Sequence, residues 1–433
     1  MGLALPPLGR VVADPETSVT ALLAACLPER RPLALAPSSG RGWFGGVSML
    51  AFDPVVHASG DTGGLHPYGD TSLEEVGALL DATVGLTSDD RGGRSGPHPP
   101  ILAVVLGYEG RWQAFGYDRG VILTGEGWRV FGPLDPADAP APRSPAAEAV
   151  EPRVPDPSEP LVDEPTSDMD RESFVEAVER VRRAVAAGDV YVLNLTYRIC
   201  GRPLHGPSDT FAALTSRGAG SMSAALIGPE NSVLSISPER FLALDGDMLS
   251  IEPIKGTRPR GATPGQDEAY AAELAASDKE RAEHVMVVDL ERNDLGRVAA
   301  LDSVHVSPLF EVVPTPYCHQ LVSVVRARLA PGVGCAAILE ATFPCGSVTG
   351  APKVSAMRHI AELEPSPRGP YCGTLIVAAP GRLDSSVLIR TAVHDGESLT
   401  YGTGGGITLD SDPQAEWEET LVKAAPLLGL SHP

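Results

Sequence analysis

Glu239, in the run SPERF, and Lys255, in the run IEPIKGTRPRG at 251–261, stand sixteen positions apart in the chain. The stretch between them, LALDGDMLS, reads as strand, turn, strand, with Asp245-Gly246 supplying the turn. A hairpin of that length brings a carboxyl and an amine into one pocket. Such a pair can protonate a leaving group and attack carbon within a single site. Two further segments carry acids three residues apart: Glu280 and Glu283 in KERAEHVMVVDL, and Glu416 and Glu419 in AEWEETLVKAA, with Lys423 four residues on. On a helix such residues share a face. If both helices border one cleft, four carboxylates converge there and raise one another's pKa unless a cation neutralises them. Magnesium suits this chemistry, because it takes oxygen ligands and is held by one or two carboxylates plus water and substrate oxygens. Glu418 is left to the solvated face.

YGTGGGIT at 401–408 can bring backbone N–H groups close to an anion through Gly404, Gly405 and Gly406. It is not a Walker A loop, having no Lys-Ser or Lys-Thr after the glycines, and it lacks the third glycine of a dinucleotide fingerprint. FPCGSVTGAPK at 343–353 has Ala-Pro before Lys353, which also departs from a phosphate loop. A small carboxylate ligand fits these segments better than a nucleotide.

The elements that must position these groups are mixed. The run DRESFVEAVERVRRAVAAGDV sets Phe174, Val178, Val181 and Val185 on one helical face, with Asp170 as N-cap and Gly188 as C-cap. VYVLNLTYRI reads as strand; 72–84, 266–296 and 413–428 read as helix. WFGGVSMLAF and ILAVVLGYEG read as strands. The Pro-, Ala- and acid-rich stretch 134–168 is expected to be a linker or long loop, and 87–100 a second loop. It separates an N-terminal region, 1–133, from a catalytic domain, 169–430. The 433 residues carry a net charge of −22, which argues against nucleic-acid and anionic-membrane partners. No segment reads as a signal peptide or transmembrane span, and the six cysteines show no metal spacing and read as reduced thiols. A cytoplasmic protein is expected.

Taken in order, SPERF, PIKGTRPRG, EHVMVVDLERNDLGRV, FPCGSVTGAPK, RGPYCGTL, LDSSVLIRTAV, GTGGGITLDSDP and EWEETLVKA resemble the chorismate-utilising enzyme family over about 170–428. That family includes the first components of anthranilate and aminodeoxychorismate synthases, together with isochorismate and salicylate synthases. The first third of the chain is similar mainly in GRGWFGGVSMLAFDP and LGYEGRWQAFGYD.

The resemblance implies an α+β fold of two large, mostly antiparallel sheets packed together and flanked by helices. It implies Glu283 and Glu419 as direct Mg2+ ligands, with Glu280 and Glu416 acting through water. It implies Lys423 and the amides of Gly404–Gly406 as receivers of the ring carboxylate, and Tyr371 and Arg390 as receivers of the enolpyruvyl carboxylate. Thr257, His319 and Thr349 are expected to line the substrate pocket. Lys255 is similar to the lysine of members that aminate ring carbon 4, whereas anthranilate synthases usually have alanine in PIAGT. The implied route has Lys255, held neutral by burial, attack carbon 2 while Glu239 protonates the hydroxyl leaving carbon 4. Ammonia then adds at carbon 4, giving 4-amino-4-deoxychorismate. Val192 stands where water-adding members carry a lysine base, and valine cannot deprotonate water. No glutaminase segment is recognised, so ammonia is expected from a separate glutamine amidotransferase subunit. Amination at carbon 2 and a non-catalytic chorismate-binding paralogue are the alternatives.

Overall fold

The computed structural model describes residues 11–13, 18–26, 30–38, 41–62, 73–86, 101–124, 127–133, 155–228 and 231–430. The strands form sheets of twelve, nine and three, and every pairing between them is antiparallel. Period-two alternation explains how the two large sheets pack. In the strand Ile101–Leu106, Ile101, Ala103 and Val105 join a core shared with Leu33 and Leu35 of the twelve-stranded sheet. Leu102, Val104 and Leu106 point the other way, onto a core built with Val76 and Leu80 of the helix Glu74–Val84. Ala34, between Leu33 and Leu35, turns to a third core containing Phe174, Val178 and Val181. The result is two sheets face to face with helices on both outer surfaces, an α+β fold.

Strands of the first 133 residues are built into both large sheets. Leu33–Leu35 pairs with Ala224–Leu226, and Ile101–Leu106 pairs with Thr374–Ala379. Of the expected linker, 134–154 lies outside the described residues, as does the expected loop at 87–100. The remainder corrects the expectation: Val162–Ser167 is a strand paired with Val192–Pro203, although Pro165 lies within it. It is an outer addition to the sheet, where proline is tolerated.

The helix Arg171–Ala187 begins at Asp170, whose side chain accepts the Ser173 N–H, and ends at Gly188 with φ 83°. The expected single helix over 266–296 is two, Pro264–Ala276 and Asp278–Gly296. Ser277 ends the first and caps the second by accepting the Glu280 N–H. The second of these is called the acid helix below, and Pro413–Leu428 the C-terminal helix. No helix among the described residues is long and apolar enough to cross a membrane. All six cysteines are free.

Candidate active site

The hairpin forms as its sequence suggests. Arg240–Asp245 and Met248–Ile251 pair with Ala243 opposite Ser250, and Gly246 takes φ 62° in the turn. Carrying that register outward sets Glu239 beside Ile254 and Lys255. Arg240 fixes the rim by bonding Asp384 and Glu252, each at 2.8 Å. Glu239 is buried, and one of its carboxyl oxygens has no hydrogen-bond partner. Burial pushes its pKa up to about 6, against the pull of nearby Lys255, the Ser347 hydroxyl and the Ile254 amide. A carboxyl that holds its proton close to neutral pH is suited to general-acid work. Lys255 is half-buried, and its Nζ donates to the Ser347 carbonyl at 3.3 Å.

Glycines at the end of the strand Leu399–Ile407 bring the remaining groups together. Tyr401, Thr403 and Gly405 face the C-terminal helix, where Thr403 donates to the Thr420 carbonyl at 2.7 Å. A Cβ on Gly405 would stand 3.2 Å from the Glu416 carboxylate and 3.8 Å from Lys423 Nζ. On the other face, a Cβ on Gly402 would stand 2.2 Å from carbons of the Tyr371 ring, and one on Gly406 would stand 3.7 Å from both Lys255 Nζ and Val192. Tyr371 and Lys255 therefore sit over the same strand, about 13 Å apart by its rise. Gly404 is glycine for a separate reason: a Cβ would strike the Leu195 carbonyl of the neighbouring strand at 2.2 Å.

Acids of the two helices stand close enough to interact. Glu283 on the acid helix feels Glu416 on the C-terminal helix. Its pKa is raised by burial and by Glu280 and Glu416, with Lys279 and Lys255 opposing. Glu416 is raised by burial and by Glu419. Glu419 is instead lowered, chiefly by Lys423 at 2.7 Å. Glu280 pairs with Arg258 at 3.3 Å, and Lys279 reaches Glu283 at 3.9 Å. Among the described residues no three acid, histidine or cysteine side chains stand close enough to form a ready metal cage. The donor set still fits magnesium. Glu283 and Glu416 are acids from two different helices, the charge of Glu416 opposing the ionisation of Glu283, and a cation that takes only one or two carboxylates needs no protein cage.

Arg390 is half-buried with φ 48°, and its guanidinium makes no hydrogen bond or ion pair among the described residues. It lies close enough to oppose the raised pKa of Tyr401. A strained backbone holding an unpaired arginine is a natural receiver for a carboxylate. Lys423 Nζ donates to the Gly404 carbonyl at 2.9 Å. Thr349 is buried in the turn beside Ser347, with its hydroxyl spent on the Cys345 and Gly346 carbonyls. Thr257 is exposed, opposite Gln320.

His319 is buried. It pairs across from Arg258, on the face covered by the helix Pro264–Ala276, and its Nε2 lies 2.9 Å from Asp267. That carboxylate is itself held well below the usual range by Arg260. His319 thus bonds the helix through Nε2, while its buried Nδ1 has no hydrogen-bond partner among the described residues.

Sequence reasoning missed Ser347, the one residue whose carbonyl holds Lys255 and whose hydroxyl faces Glu239. It also missed the anchors of its turn: half-buried Asn194 bonds the Val348 and Thr349 carbonyls, and buried Arg368 bonds the Val348 carbonyl at 2.7 Å. Arg368 is itself paired with Glu364 at 2.6 Å. Ser347 lies inside the quoted FPCGSVTGAPK run, so only its role was hidden.

Comparison with known proteins gives the family. The model of the chorismate binding enzyme family matches residues 134–429. An aminodeoxychorismate synthase of Streptomyces pristinaespiralis is 47% identical over 255 residues, 58% of this chain and 35% of that protein. Aminodeoxychorismate synthase component 1 of Escherichia coli is 41% identical over 60% of this chain and 58% of its own length. An anthranilate synthase component 1 of Haloarcula marismortui is also 41% identical, over 65% of this chain and 58% of its own. The chain thus spans between about a third and three fifths of these curated relatives. The crystal structure of anthranilate synthase component I from Streptococcus pneumoniae superposes with a TM-score of 0.69 at 26% identity, covering 87% of this chain and 91% of that one.

Proposed function

Because the chain belongs to the chorismate binding enzyme family, we propose that it is an aminodeoxychorismate synthase component I, converting chorismate and ammonia to 4-amino-4-deoxychorismate. The observation that carries this reading is Lys255 beside a buried Glu239 whose carboxyl is lifted to about 6. The 47% identity to an aminodeoxychorismate synthase supports it.

In the proposed reaction, Glu239 gives its proton to the hydroxyl on ring carbon 4, which leaves as water. Lys255 Nζ attacks ring carbon 2 as the ring double bond shifts. Ammonia then adds at carbon 4, the double bond returns, and the bond from carbon 2 to Lys255 breaks. The proton shed by the added ammonia returns to Glu239, so protons balance over the cycle. Val192 shields the Lys255 side of the cleft from an activated water. Tyr371 and Arg390 receive the enolpyruvyl carboxylate, and Lys423 with the amides of Gly404–Gly406 receives the ring carboxylate. Thr349, His319 and the exposed Thr257 complete the pocket. Magnesium, when bound, would offset the substrate's carboxylate charge, with Glu283 and Glu419 as direct ligands and Glu280 and Glu416 acting through water. Ammonia is delivered by a separate glutamine amidotransferase subunit, in keeping with the component naming of the relatives. A cytoplasmic location and a role in para-aminobenzoate and folate synthesis belong to the same proposal.

The test is product identification from chorismate, magnesium and ammonium. A 4-amino product formed with ammonium and not with glutamine alone is expected. A carbon-2 amine would favour the anthranilate-type reading, which the Haloarcula relative keeps in view.

A further inference from the structure

Glu291 lies about two turns along the acid helix from Glu283 and is fully buried. It takes no part in the chemistry above. Its Oε1 accepts the Gly346 N–H at 3.0 Å and the Cys345 S–H at 3.5 Å. Cys345 Sγ lies 3.2 Å from Ser347 Oγ. Ser347 in turn holds Lys255 through its carbonyl at 3.3 Å and faces Glu239 with its hydroxyl. A chain of contacts thus runs from the acid helix through one turn to both reacting side chains.

We propose that Glu291 is a positioning residue for the Lys255–Glu239 pair, seating the 345–347 turn through which Ser347 orients them. Three observations support this. The turn is fitted to the carboxyl: a Cβ on Gly346 would stand 2.8 Å from Glu291 Oε1 and 2.5 Å from Leu290 Cδ2. The Glu291 Oε2 is buried with no partner, so the acid is poorly served except through its one accepting oxygen. The nearest cation is committed elsewhere: Lys353 binds Asp294 at 2.5 Å and the Thr342 carbonyl at 2.9 Å. Burial and the neighbouring Asp294 raise the Glu291 pKa, with Lys353 opposing, so Glu291 serves as a neutral acceptor. Asn194 and Arg368 secure only the far end of the turn, at Val348 and Thr349.

The role in amination rests on the function proposed above, so the test has a readout that does not need turnover. Wild type, Glu291→Gln and Glu291→Leu are acetylated with limiting acetic anhydride, and labelling of Lys255 is read by mass spectrometry against exposed Lys279. Glu291→Gln keeps the accepting oxygen and should match wild type. Glu291→Leu removes it and should change the Lys255:Lys279 ratio about fivefold, the effect of one lost hydrogen bond. Its kcat should fall by a similar factor with KM for chorismate unchanged. If Glu291→Leu does not melt cooperatively, Glu291→Met takes its place. An unchanged ratio in the apolar variant, or an equal change in Glu291→Gln, overturns the inference whatever kcat does. A wild type that forms no 4-amino product overturns the proposed function and leaves the ratio to decide the role of Glu291.

Discussion

Glu239 links stability and activity through one proton. Its carboxyl is raised from 4.5 to about 6 in the fold, so the folded state binds that proton more tightly than the unfolded chain. This favours the fold below pH 4.5, and the advantage is lost as pH rises towards 6. Above that, ionised Glu239 opposes folding by about 2 kcal/mol relative to a neutral isostere. Glu239→Gln is therefore expected to raise the free energy of unfolding by about that amount at pH 8 and by little at pH 4.5, measured by urea titration. The same variant should lose about a hundredfold or more in kcat, as expected of a missing general acid. Equal stability effects at both pH values would contradict the burial account. The residue pair itself was legible because an Asp-Gly turn sits between two alternating runs. Ser347 and Glu291 were not, because they meet their partners only across 92 and 55 residues of chain, where no local pattern reaches.

At the scale of elements, the site depends on two helices presenting acids to each other across glycines that carry no side chain. The i, i+3 spacing made both acid pairs readable. The break at Ser277 was missed because the helical pattern runs through it, although Ser277-x-x-Glu280 is a capping-box sequence. The opposition of the helices predicts that Glu283→Gln and Glu419→Gln each raise the magnesium concentration for half-maximal turnover about tenfold or more. Exposed Glu418→Gln should leave it unchanged. Chelation should abolish turnover, and magnesium should restore it. A magnesium requirement unaltered in both cleft variants would remove the acid helices from metal binding.

At the scale of the molecule, the family-like segments after residue 169 share both large sheets with strands of the first 133 residues. The strands Leu33–Leu35 and Ile101–Leu106 fill internal positions of the two large sheets and contribute to the core between them. A chain limited to residues 155–430 would expose apolar sheet edges and is expected to be insoluble or to lack a cooperative melt. A soluble fragment melting cooperatively would contradict this. Which strands pair was not readable in advance, since short apolar strands do not announce their partners. The account's central claim is that Lys255 directs nitrogen to carbon 4. It is tested most directly by comparing Lys255→Ala with wild type under saturating magnesium and ammonium, measuring chorismate binding by calorimetry and the aminated product by mass and NMR. The account predicts that the variant still binds chorismate and forms no 4-amino-4-deoxychorismate, whereas carbon-4 amination by Lys255→Ala at the wild-type rate would contradict it.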